Sequence, residues 1–433
     1  MPLPSQDELP GIPPALLELL LQAQAGGRLA LVGGAVRDLL LHRVHNDPWR
    51  GVPDLDLVVE TPLLPGHPDD ADVAGAHRLA RRLRQRMGPM VVTGYQEHGA
   101  YGTVELELAV QSGPVLLDLA SARCESYPVA GENPVVRFGS LQEDLARRDF
   151  TINAMAMVLN GDGPRLLDPH GGQRDLAQRQ LRFLHPESVR DDPTRLLRGA
   201  RYAARLGFRL APSSQDQARR TLEAWPWGWR AGDPPGQAPS ALGTRLRMEL
   251  ELLLEREDWQ AALGALQGWG ALTLLDPCLQ ADRHWRRRLA RARRLGLDLM
   301  PALVAGAADP VALAERLQLP HRQHRLLVQF LALRQRLAAA GVDGGGSWPA
   351  ADWPASRWCA LLEAPGSSAE AVALALAAGI GPRRPLLRWW LRWRHLRAAT
   401  TAERLIATGL RPGPALGERL RQLRVERLNR ERV

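Results

Sequence analysis

Apolar and polar positions alternate strictly from Asp54 to Glu60, with Asp54, Asp56 and Val58 on one face and Leu55, Leu57 and Val59 on the other. A period of two marks a strand half covered by a core. Upstream, the apolar run Leu29 to Val32 predicts a strand that enters Gly33-Gly34, and AVRDLLL then takes up a helical period. A strand, a glycine turn and a helix start aim backbone N–H groups and the positive end of the helix at an anion. Ahead of them, Pro14 to Gln24 reads as a short amphipathic helix. After a loop from His67 to Asp72, Ala74 to Met87 predicts a basic helix. Its apolar stripe is Leu79 and Leu83, ringed by Arg78, Arg81, Arg82, Arg84 and Arg86. Short strands are predicted at Met90–Thr93, Thr103–Val110 and Val115–Leu119. The sum is a small sheet with helices packed on it, not a doubly wound fold.

Further along, residues 120–139 are polar, proline-bearing and irregular. Arg147, Arg148 and Asp149 precede an expected helix carrying Ile152, Ala154 and Met155. RLLDPHGGQRDL (165–176) predicts two strand-like pieces about a turn at Gly171-Gly172, with Asp168 and Asp175 as turn formers. Asp192-Pro193 reads as N-cap and first helical residue, and Gly207 as the stop. That helix has about fourteen residues and runs roughly 21 Å. Arg195, Arg198 and Arg201 recur every three residues along it, while Leu197, Ala200 and Ala204 line another side. From 211 to 240 the chain predicts a short helix and a Pro/Gly linker, then a helix striped by Leu242, Leu246, Leu250 and Leu253. Helical segments continue to the end, broken by a linker at 343–354. RPLLRWWLRWRHLR (384–397) suits either stacking on RNA or a packed amphipathic helix with snorkelling arginines.

At 433 residues the chain is too long for one ordinary core. Hydrophobic content of 45% with 24% charged residues fits a soluble globular protein, and no run of 18 apolar residues suggests a membrane span. Cys124, Cys278 and Cys359 are far apart and make no metal-ligand spacing, which suits a reducing, cytoplasmic setting. The net charge of +9 is carried by arginine alone, since there is no lysine. A basic surface attracts polyanions, and arginine grips phosphate bidentately.

The strand of Asp54 and Asp56 carries the candidate chemistry. Period two sets the two carboxylates about 7 Å apart at Cα on one face. Mg²⁺ takes oxygen ligands and commonly binds one or two carboxylates plus substrate phosphates. A phosphate cradle followed by paired carboxylates is what nucleotide transfer requires. Asp118, on a later strand, is either a third carboxylate or a strand-end aspartate.

GGAVRD, the following DLD, RRDFTINAMAM (147–157) and DDPTRLLRGARYAARLGF (191–208) resemble the class II tRNA nucleotidyltransferase and bacterial poly(A) polymerase family. The resemblance covers about residues 28–210 and resumes at GLRPGPALGERL (409–420). It implies an α+β fold: a polymerase-beta-like head with a small mixed sheet over 1–160, a neck over 161–212, a helical body over 213–340 and a tRNA-binding helical tail over 341–433. It also implies CCA addition to tRNA from CTP and ATP, with Mg²⁺ held by Asp54 and Asp56. Gly33, Gly34 and Arg37 would then cradle the triphosphate, Arg148 and Asp149 the sugar and phosphates, and Asp192 and Arg195 the base. Arg198 and Arg201 would contact the triphosphate or brace the helix.

The family's usual Glu-Asp start of the selecting motif is here Asp191-Asp192, and the stretch between GGAVRD and DLD is longer than usual. The segment 120–139 corresponds to a flexible loop that positions primer and nucleotide, with Arg123 and Glu125 at its arginine and acidic positions. No His-Asp dipeptide is present, so the metal phosphohydrolase domain of some relatives is not expected. CC-only addition, A-only addition, poly(A) synthesis and an RNA-binding protein with an inactive head remain open, as does the oligomeric state.

Overall fold

A computed structural model describes residues 12–431 except 25, 50, 52–53, 62–74, 89, 111–112, 161–162 and 343–352. The expected loop from His67 to Asp72 and most of the 343–354 linker lie outside the described residues. By compactness the chain divides into two units: residues 1–228, 239–241 and 257–270 form the first, and residues 229–238, 242–256 and 271–433 the second.

The first unit is built on strands β1 (Arg28–Val32), β2 (Asp54–Glu60), β3 (Val92–His98), β4 (Thr103–Val110), β5 (Gly113–Ser121), β6 (Arg123–Ser126), β7 (Val135–Phe138), β8 (Ala156–Val158) and β9 (Arg165–Leu167). Seven of them form one sheet in the order β3-β4-β5-β2-β1-β8-β9. Only β2 and β5 run parallel within it, so the sheet is mixed. The α+β expectation, a small mixed-sheet head followed by helices, is met.

Both faces of the sheet are covered, but not to the same extent. Helix α1 (Pro14–Ala23) buries Leu16, Leu17 and Leu20, and α2 (Gly34–His45) starts directly after β1. Helix α3 (Gly75–Met87) buries Leu79 and Leu83 and packs against β2, β4 and β5. On the opposite face, Leu141 and Leu145 of α4 (Leu141–Ala146) join Ala30, Val32, Val58, Ala156 and Val158 in one cluster. Val58 shares its face with Asp54 and Asp56. Helix α4 therefore covers one half of that face and leaves the carboxylate half open. A capping box of Ser140 and Glu143 starts α4, and its far end delivers Arg147 and Arg148 toward the open half.

Several local expectations are corrected. Residues 120–139 contain an antiparallel hairpin of β6 and β7, with Arg123 opposite Phe138 and Ser126 opposite Val135. The segment after Asp149 is not an α-helix: Thr151–Asn153 makes one 3₁₀ turn and Ala156–Val158 becomes β8. Ala156–Val158 pair with β1, which overrides helical propensity there, and Ile152, Ala154 and Met155 before them are all buried. Past the turn at 168–171 lies a helix, α5 (Gly172–Ala177), where a second strand-like piece was expected. Asp168 caps it by accepting from the Gly172 and Gln173 amides at 2.7 and 3.0 Å. A one-turn helix, α6 (Ser188–Asp191), precedes α7 (Thr194–Leu206), which ends at Gly207 with φ of 71° as expected. Helix α8 (Pro212–Ala224) follows, and the Pro/Gly stretch after it buries Trp227, whose indole donates to the Arg190 carbonyl at 2.9 Å.

The second unit is helical, from α9 (Thr244–Arg256), which buries Leu246, Leu250 and Leu253, onward; α10 (Trp259–Gly268) belongs to the first unit and packs on α7. In RPLLRWWLRWRHLR, Trp389 and Trp393 are buried and Arg394 lies 3.7 Å from the Trp390 ring centroid. Core packing explains two of the three tryptophans. No helix among the described residues is long and apolar enough to cross a membrane.

One glycine tests how tightly the turn before β8 is packed. A Cβ on Gly172 would lie 2.5 Å from the Thr151 carbonyl oxygen and 2.8 Å from the Met155 side chain. Gly172→Ala should destabilise the protein by roughly 1–3 kcal/mol, read as an earlier denaturation midpoint. An unchanged midpoint would contradict this packing.

Candidate active site

Asp54 and Asp56 stand on the open half of β2. The parallel register sets Asp56 beside Asp118 on β5, and the antiparallel register sets Asp118 beside Glu105 on β4. One row of the sheet thus carries three carboxylates, with Asp54 two residues away. All three pair through their backbones in the sheet, but among the described residues the side chains of Asp54, Asp56 and Asp118 form no hydrogen bond or ion pair. Burial pushes the Asp56 carboxyl up, opposed by Arg148 and Arg198 and reinforced by Asp54. Burial together with Asp56, Glu105 and Asp54 pushes Asp118 up to about 6.

Gly33 closes the turn between β1 and α2 with φ of 70°, a backbone that favours glycine. A Cβ here would lie 3.2 Å from Arg148 Nη1 and 3.3 Å from Asp56 Oδ2, so the turn, the carboxylate and the arginine meet at one point. No side chain caps the first turn of α2, and its leading N–H groups face this point unassisted.

Arg148 donates from Nη2 to Asp144 at 2.9 Å, and its Nε is buried without a partner. Asp149 is buried, takes the Phe150 amide at 2.8 Å and the Asn153 amide at 3.0 Å, and forms an ion pair with Arg198 at 3.0 Å. Burial opposes its charge, yet Arg198, Asn153, Arg195 and the Phe150 amide hold its carboxyl below the ordinary range.

On α7, Asp192 Oδ1 accepts from the Thr194 amide at 3.1 Å and the Thr194 hydroxyl at 2.6 Å, a cap in function. Arg195 is buried and donates to Ser188 at 3.0 Å, to His185 Nε2 at 3.2 Å and to the Arg147 carbonyl at 3.0 Å. Three of the five N–H groups of a guanidinium are thereby committed. His185, pushed down to about 4 by burial and by Arg195, is neutral and accepts.

The structure therefore gathers Gly33, Asp56, Arg148, Arg198 and Asp149 into one cluster, with Asp54 and Gly34 adjoining it in the chain. It gives Arg37 and Arg201 other partners. Arg37 is buried, bonded to Asp38 at 2.8 and 2.9 Å and to Asn153 at 2.9 Å, and lies over the Tyr202 ring. Arg201 pairs with Glu257 at 3.5 Å.

Residues absent from the sequence-based set also shape the site: Asp144, Asn153, His185 and Ser188. Asp144 had a legible signal, since it stands three and four residues before Arg147 and Arg148 on a helix. The others act through contacts distant in the chain.

Whether a divalent cation suits this face follows from its donors. The carboxylates offer oxygen only, and their mutual repulsion is what a cation relieves. Among the described residues, no three acidic, histidine or cysteine side chains converge into a ready-made cage. An ion held by two carboxylates and completed by substrate phosphates needs none.

Comparison with known proteins bears on the family and the fold. Residues 29–182 match the family described as Poly A polymerase head domain. A CC-adding tRNA nucleotidyltransferase of Deinococcus radiodurans is 38% identical over 325 residues, which span 73% of this chain and 74% of that protein. An A-adding tRNA nucleotidyltransferase of Aquifex aeolicus is 40% identical over 196 residues, 45% of this chain but 20% of that one. A solved structure of the Thermotoga maritima CCA-adding enzyme complexed with tRNA is similar over 97% of this chain and 92% of its own, with a TM-score of 0.63 at 23% identity, which speaks to the fold.

A head of this kind, with Asp-x-Asp facing a glycine turn, defines a nucleotidyltransferase. The extent of similarity then narrows the class, and the chain belongs to the class II tRNA nucleotidyltransferase family.

The crowding of carboxylates predicts a pH effect. Because Asp118 binds its proton more tightly in the folded protein than in the unfolded chain, it costs stability as pH rises from about 4 through about 6. Asp118→Asn removes that cost. In chelator, the variant should melt with the parent near pH 4 and above it at pH 7–8. An offset independent of pH would contradict the repulsion.

Proposed function

We propose that the protein adds the two cytidines of the tRNA 3′ end from CTP, without a nucleic-acid template. Transfer chemistry rests on the Asp54 and Asp56 pair set against the Gly33 turn and Arg148. The choice of cytidine addition rests on similarity to a CC-adding enzyme over about three quarters of both chains. Complete CCA addition from CTP and ATP is the second reading, favoured by similarity to a multifunctional CCA protein, 34% identical over 261 residues, 59% of this chain and 52% of that one.

Asp54 and Asp56 would hold Mg²⁺, which when bound lowers the pKa of the RNA 3′-hydroxyl and neutralises charge on the leaving pyrophosphate. The 3′-hydroxyl gives up its proton to solvent, its oxygen attacks the α-phosphate, the bond to the pyrophosphate breaks with the electron pair leaving on pyrophosphate, and the new phosphodiester extends the RNA by one nucleotide. Gly33, Gly34 and the start of α2 take triphosphate oxygens. Arg148 and Arg198 supply positive charge beside them, Asp149 receives the ribose, and Arg37 braces the turn through Asn153.

Asp192 and Arg195 offer an acceptor and donors to a base edge. Cytosine and adenine both present an exocyclic amino donor beside a ring-nitrogen acceptor, whereas uracil and guanine present the reverse. Arg195, fixed on one side by Ser188, His185 and the Arg147 carbonyl, keeps two N–H groups for this task. A mismatched edge leaves buried groups unpaired at about 1–3 kcal/mol each.

Purified protein with Mg²⁺ and tRNA lacking its CCA end should be given CTP, ATP or both, and the 3′ ends sequenced. Growth that stops at CC in every arm containing CTP supports the proposal. CCA with both nucleotides establishes the second reading, A added only to tRNA ending in CC the complementary activity, and a long A tract a poly(A) polymerase. No incorporation contradicts all of them. Asp56→Ala should abolish incorporation while sparing tRNA binding in a gel-shift assay, and retained turnover would remove the metal assignment. Asp192→Asn should raise UTP use relative to CTP by about tenfold or more, the equivalent of one lost hydrogen-bond match.

A further inference from the structure

We propose that Asp144 is a positioning residue: it fixes Arg148 beside the Asp56 carboxylate and ties that arginine to the base-selecting helix α7. This rests on the reading of Arg148 as a triphosphate contact. The Asp144 side chain is fully buried at the end of α4. Its Oδ1 accepts from Arg147 Nε at 2.9 Å and Nη2 at 2.7 Å, and its Oδ2 accepts from Arg148 Nη2 at 2.9 Å. One carboxylate thus clamps two consecutive arginines.

The two arginines leave the clamp in different directions. Arg148 extends Nη1 toward Gly33 and Asp56, where a Cβ on that glycine would lie 3.2 Å away. Arg147 donates from Nη1 to Glu125 at 3.0 Å, and the same carboxylate takes Arg123 at 2.9 Å and the Tyr127 hydroxyl at 3.0 Å. The backbone carbonyl of Arg147 accepts from Arg195 Nη2 at 3.0 Å. A single residue, Arg147, therefore separates the proposed base reader from the clamp that holds the proposed phosphate contact. Hairpin β6–β7 enters the same network through Arg123 and Glu125.

A structural role alone accounts poorly for this arrangement. Burying a carboxylate and two guanidinium groups gains little stability over apolar packing, because desolvation offsets the attraction. What the clamp does supply is direction. Arg148 has a long flexible stem, and anchoring Nη2 leaves Nη1 aimed at one place before a nucleotide arrives.

The test uses the full chain and four variants: Asp144→Asn, Arg148→Gln, the two combined, and Glu143→Gln. CTP KM, kcat and tRNA affinity are measured for each. Asp144→Asn should raise CTP KM by about tenfold or more, the loss of one charge-assisted contact, with tRNA affinity within about twofold. The combined variant should match Arg148→Gln alone, since both changes remove one function. Multiplying effects, or an unchanged KM in Asp144→Asn, would overturn the proposal. Glu143→Gln weakens the capping bonds to Ser140 but leaves Asp144 and Arg148 joined, so its CTP KM should stay within about twofold, and a rise matching that of Arg148→Gln would overturn the assignment to Asp144 even where Asp144→Asn does not fold. Arg148→Gln without effect on CTP KM would instead remove the phosphate-contact reading beneath it.

Discussion

Like charge on neighbouring strands is the constraint that the rest of the head answers to. Parallel pairing of β2 and β5 sets Asp56 against Asp118, with Asp54 and Glu105 close by, and burial raises the cost of ionising them together. The sheet carries this strain on the half of its face that α4 leaves open. Cations are brought to its border from separate parts of the chain: Arg148 from the end of α4 and Arg198 from α7. Both lower the Asp56 carboxyl without bonding to it.

Around that centre, support comes from fully committed charges. Asp144 is held by two arginines, Asp149 by Arg198 and two amide donors, and Asp175 by Thr151 at 2.7 Å and Arg182 at 3.0 Å. Each of these buried carboxylates has charged or hydrogen-bonding partners, whereas the side chains of Asp54, Asp56 and Asp118 have none among the described residues.

Strong local periodicity made much of this legible. The alternation of β2, the glycine turn and the capped α7 with its glycine stop all follow from short-range rules, and so did the α+β class. The hairpin of β6 and β7 escaped because neither strand buries a residue fully, so no apolar alternation marks it. Strand β8 escaped because its apolar run is read equally as buried helix or buried strand, and only pairing with β1 decides. The partners of Arg37 and Arg201 could not be read either. Arg37 bonds to the adjacent Asp38, but Asn153 and Glu257, which also pair with these two arginines, are distant in sequence. Asp144 lay within reach through its helical spacing to Arg147 and Arg148.

The account turns on where a nucleotide meets these groups. The most direct measurement is a crystal structure of the protein soaked with CTP and Mn²⁺, with anomalous scattering locating the metal. The account predicts metal density between the Asp54 and Asp56 carboxylates, triphosphate oxygens at the Gly33 turn and Arg148, and the cytosine edge against Asp192 and Arg195. Metal density away from β2, or a cytosine ring remote from α7, would contradict it.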